Sequence, residues 1–85
     1  MSRISLRDQI VEISQDYLGP AAERFIDRQI SMHLNKEPNQ ITKEDLVKLI
    51  DWLKLSMALL TEDVKMVDEF TRRLEAISKK GTRKP

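Results

Sequence analysis

Cysteine is absent from the 85-residue chain, which excludes a disulfide framework, a thiol nucleophile and any Cys-based zinc site. Glycine occurs only at Gly19 and Gly81, and no apolar/polar alternation flanked by turn residues runs along the sequence, so β-structure is not expected. Long hydrophobic runs are missing too. A membrane span needs roughly 18 consecutive apolar residues, and the oiliest stretch, Leu53 to Leu60, is interrupted by Lys54 and Ser56. Charges break every short apolar run between Met1 and Asp8, so that segment has no signal-peptide core. These absences lead to an expectation of a soluble cytoplasmic protein without a membrane partner.

The chemistry-bearing patterns are equally sparse. His33 is the only histidine, and a metal site needs several converging ligands. Asp63, Asp68 and Glu69 have the spacing of a solvated helix face, with no glycine-centred EF-hand loop around them. There is no nucleophile elbow, Gly-rich phosphate loop or H-E-x-x-H sequence. The acid pairs Glu44-Asp45 and Asp68-Glu69 are adjacent, so on a helix their side chains diverge. No catalytic residue, metal or cofactor is therefore expected, and a chain this short has little room for a cleft.

What is abundant is charge and helical periodicity. The net charge of +1 hides an asymmetry: residues 1–78 hold 11 Lys/Arg against 14 Asp/Glu, a balance of −3, while Lys79, Lys80, Arg83 and Lys84 add +4. One helical domain over residues 1–78 with a basic, flexible tail over 79–85 is the expected organisation. Nucleic-acid affinity comes largely from cations that neutralise phosphates. The candidates for such contacts are Arg72, Arg73, Lys79, Lys80, Arg83 and Lys84.

Four helices are predicted, giving an all-α bundle. The first runs from Ile4 or Leu6 to Leu18, with Leu6, Ile10, Ile13 and Tyr17 on one stripe and a start signal in Ser5 and Asp8. Gly19-Pro20 closes it and opens the second, Pro20 to Leu34, whose inner stripe is Ala22, Phe25, Ile26, Ile30 and either His33 or Leu34. Glu23, Asp27, Arg28 and Ser31 fall on its solvent side. After a connection over Asn35–Ile41, Thr42-Lys43-Glu44-Asp45 caps a third helix that reaches Leu60. Thr61-Glu62-Asp63 then offers a hydroxyl cap and two acids to a fourth, with Val64, Val67, Phe70, Leu74 and Ile77 as its inner stripe.

The third helix carries more apolar residues than one bundle face can bury. Leu46, Leu49, Ile50, Leu53, Met57 and Leu60 cluster within about 60° of Leu46, whereas Trp52, Leu55 and Leu59 lie about 180° to 240° away. Either the helix is central, with its second stripe covered by the first helix, or that stripe meets another chain. Tryptophan is enriched at binding hot spots, which tilts the reading towards a partner.

The string Tyr17-Leu18-Gly19-Pro20-Ala21-Ala22 resembles the Y-[IL]-G-P-x-A helical junction of uncharacterised bacterial modules found at the ends of signalling and regulatory proteins. Ile41-Thr42-Lys43-Glu44-Asp45-Leu46 and Leu59-Leu60-Thr61-Glu62-Asp63 look like the polar starts of that group's later helices. The resemblance spans residues 10 to 78 and implies a regulatory setting, although here the module is read as standing without a receiver or kinase domain. The expectation is an interaction module, adaptor or regulatory subunit, homodimeric through Trp52, Leu55 and Leu59, with Tyr17 and Phe25 as weaker candidates. The alternative is a small nucleic-acid-associated protein that uses the basic C-terminal end.

Overall fold

A computed structural model describes residues 5–79. The elements are α1 (Leu6–Leu18), a 3-10 turn (Gly19–Ala21), α2 (Ala22–Leu34), a second 3-10 turn (Pro38–Gln40), α3 (Lys43–Leu60) and α4 (Val64–Lys79). No strand occurs among the described residues, and none of their helices is long and apolar enough to cross a membrane. α3 packs mainly on α4, α1 mainly on α2, and the two pairs close on each other through α2 with α3 and α1 with α4.

Local chemistry sets the helix ends. The Ser5 hydroxyl accepts a hydrogen bond from the Asp8 backbone N–H at 3.1 Å and starts α1. Gly19 stops it with φ 62° and ψ −139°, a conformation that side-chain-bearing residues avoid. Pro20 then sits in the first positions of the turn, where no N–H is needed. α2 ends on Asn35 in the left-handed region (φ 54°, ψ 42°), which asparagine tolerates better than most residues. At the start of α3 a reciprocal cap forms: Thr42 Oγ1 accepts from the Asp45 N–H at 3.1 Å, and Asp45 Oδ2 accepts from the Thr42 N–H at 3.0 Å. Lys36 reaches the same carboxylate at 2.6 Å, so Lys36 first and the Thr42 N–H second hold the Asp45 carboxyl below the usual carboxylate range.

The start of α4 corrects one expectation. Thr61 is extended and its N–H bonds back to Met57, closing α3. Its hydroxyl accepts from Asp63 N–H, and it is Asp63 Oδ1 that accepts from Met66 N–H at 3.1 Å and caps α4. An ionised carboxylate serves better there than a hydroxyl, because it also meets the positive end of the helix.

One apolar core runs through the domain: Ile10 and Val11 from α1, Ile26 and Ile30 from α2, Ile41 before α3, Leu46, Leu49, Ile50, Leu53 and Met57 from α3, and Val67, Phe70, Leu74 and Ile77 from α4. Polar groups in it are satisfied internally. Ser14 and Thr71 donate to the carbonyls of Ile10 and Val67, each at 2.8 Å, and no side-chain polar atom buried among the described residues lacks a partner. Gln29, missing from the predicted stripe of α2, is buried and accepts from the Ser56 hydroxyl at 3.2 Å, tying α2 to α3.

The supposed solvent side of α2 is not all solvent. Arg7 lies against it with a mostly buried side chain, forks onto Asp27 through Nε at 2.9 Å and Nη2 at 2.7 Å, and meets Glu23 at 2.8 Å. Asp8 takes the other guanidinium nitrogen at 2.8 Å. Three carboxylates around one guanidinium raise its pKa further, Asp27 contributing most, and the two-point fork fixes α1 against α2.

Candidate docking surface on the third helix

α3 is apolar on two faces and buries only one. Leu46, Leu49, Ile50, Leu53 and Met57 are in the core. On the other side Trp52 is 45% exposed, Leu55 57% and Leu59 85%. α1 does not cover them, because it packs on α2 and α4 instead. Of the two arrangements left open by the sequence, coverage by the first helix is thus excluded within one copy of the described chain.

Trp52 is held rather than loose. Its ring stacks on that of His33 at 4.1 Å between centroids and 7° between planes, so the last turn of α2 braces the α3 side chain. His33 sits half-buried at that position, while Leu34 packs against the core. A braced aromatic that keeps nearly half its surface in water has already lost much of the side-chain freedom that binding would otherwise remove.

The apolar surface also extends beyond the predicted stripe. Leu60 and Val64, both assigned to inner stripes from the sequence, are 59% and 72% exposed. They lie at the α3–α4 connection, Leu60 as the last residue of α3 and Val64 as the first of α4. Val64 lines a groove with Leu55, Ala58 and Val67, edged by Lys54, Glu62 and Asp68. Leu60 lines a second groove with Leu18, Ala21 and Phe25, edged by Arg24 and Arg28. Leu59 stands at the end of the helix whose flanks carry these two grooves.

The weaker interface candidates separate. Phe25 is half-buried against the core and keeps an edge in the Leu60 groove. Tyr17 is engaged within the chain: its ring meets Phe70 edge-on at 5.5 Å, its hydroxyl donates to Glu69 at 3.1 Å, and Arg73 donates to it at 3.1 Å. Arg73 also pairs with Asp16 at 2.8 Å, and these two partners, Tyr17 first, raise its pKa. Arg72 lines a groove with Asp63, Lys65, Asp68 and Glu69, whose three acids outnumber its two cations and so oppose phosphate. Lys79 is exposed at the end of α4, and Lys80, Arg83 and Lys84, with most of the predicted tail, lie outside the described residues.

Comparison with family models, with curated proteins and with solved structures finds no match to this chain. Among the described residues no three His, Asp or Glu side chains gather where they could hold a metal ion. The feature that stands out chemically is the uncovered face of α3. The exposed Leu60 and Val64 and the His33–Trp52 stack were not legible in the sequence. The stack brings together residues nineteen positions apart, and only the α2–α3 packing makes it.

Proposed function

We propose that the chain is a protein–protein interaction module, an adaptor or regulatory subunit in the cytoplasm, that self-associates through the outer face of α3. The observation that carries this reading is the exposed Trp52, Leu55 and Leu59 stripe beside a core that is already complete. Covering what remains exposed of each of these side chains is worth on the order of 1 kcal/mol or more. Contiguous apolar surface of this kind on a small soluble body marks an interaction site. The likeness of the Tyr17–Ala22 junction to modules of bacterial signalling proteins supplies the regulatory setting.

Trp52 is the only tryptophan, so its fluorescence reads the proposed surface without interference. Association is expected to shield the ring: emission shifts to the red and acrylamide quenching rises as the protein is diluted. An emission maximum and quenching constant that stay the same at every concentration would count against self-association through this face.

A further inference from the structure

We infer that the two copies meet with their α3 helices antiparallel, about a two-fold axis beside Leu55, giving a closed dimer. This rests on the self-association reading and specifies its partner residue by residue. In such a pair, a residue a given number of positions before Leu55 faces the one the same number after it. Trp52 is three before and Leu59 four after, and both lean to the same side of Leu55, by about 60° and 40° at 100° per residue. Trp52 of each copy therefore lies against Leu59 of the other, and Leu55 meets Leu55 at the centre.

Charge selects this orientation. Lys48 is seven positions before Leu55, in line with it on the helix, and Glu62, just past the end of α3, edges the groove that Leu55 lines. Antiparallel packing sets Lys48 of each copy opposite Glu62 of the other, at both ends of the apolar stripe. Parallel packing would set Lys48 on Lys48 and Glu62 on Glu62, and like-charge juxtaposition opposes association. Neither residue takes part in an ion pair among the described residues, so both are available to a second copy. Because each copy offers the same self-complementary strip, the contact is isologous and closes at two instead of growing into a fibre.

The chain contains no cysteine, so single-cysteine variants give a clean test with a short bismaleimide. Leu55→Cys is expected to cross-link to itself. Lys48→Cys and Glu62→Cys alone are not, but an equimolar mixture of the two yields the covalent heterodimer. A second measurement does not depend on linker geometry: Lys48→Glu weakens the dimer several-fold, and adding Glu62→Lys in the same chain restores it. Self-cross-linking at Lys48→Cys, or a double charge swap that weakens the dimer further, would overturn the antiparallel register while leaving self-association standing. Absence of every cross-link, together with Trp52 emission that ignores concentration, would remove the self-association reading itself.

Discussion

Phe70→Ala is expected to cost about 3 to 5 kcal/mol, as truncations of fully buried aromatics do. Phe70 is completely buried at the centre of α4 and carries the edge-on contact with Tyr17 that joins α1 to α4. Its removal opens a cavity between two helix pairs and leaves the Tyr17 ring without the surface it packs on. Stability of about 0.05 to 0.15 kcal/mol per residue is small enough in an 85-residue chain for this one change to remove much of it. At about 4 to 8 °C per kcal/mol for domains of this size, thermal unfolding followed by circular dichroism should show a midpoint lowered by at least about 12 °C. A shift of only a few degrees would mean that the interior is looser than the burial of Phe70 implies.

Leu55→Glu should do the reverse, sparing the fold and removing the assembly. Leucine and glutamate have similar helix propensities, and Leu55 is more than half exposed on the outer face of α3. The monomer should change by no more than about 0.5 kcal/mol, as surface substitutions usually do. In the dimer, however, two carboxylates meet at the centre of an apolar contact without a partner. Burying polar groups unpaired costs about 1 to 3 kcal/mol each, and more for charged groups, so affinity should fall about 100-fold or more. The pair of readouts is helicity by circular dichroism and mass by sedimentation. A variant that loses its helices even at high concentration would reassign Leu55 to the interior.

The parts of this fold that are legible in the sequence are those decided locally. Ser5, Gly19-Pro20 and the Thr42/Asp45 pair act on backbone groups within a few residues, so their chemistry can be read without knowing what lies opposite. The inner stripe of α3 is legible for the same reason, since periodicity alone places Leu46, Leu49, Ile50, Leu53 and Met57 together. Periodicity fails at the ends of elements. Leu60 and Val64 continue their stripes in projection, yet they stand at the α3–α4 turn and stay more than half exposed, each on the edge of an open groove.

Other features depend on meetings that no local pattern announces. Asp27 and Glu23 read as solvent-facing because nothing near them signals that Arg7, from the preceding helix, folds onto them. Gln29 is buried only because Ser56 stands opposite to satisfy it. Asp63 caps α4 in place of Thr61 because Thr61 is extended and its N–H closes α3. For the candidate surface, the sequence supplies two apolar stripes on one helix. That α1 packs elsewhere and leaves the second stripe uncovered is a property of the tertiary arrangement.

Sedimentation equilibrium of the unaltered chain over a wide concentration series decides whether two copies join. Self-association through α3 gives a weight-average mass that rises from the 9.9 kDa of one chain to a plateau at twice that value and stops there. A mass that remains at 9.9 kDa at every concentration would contradict it.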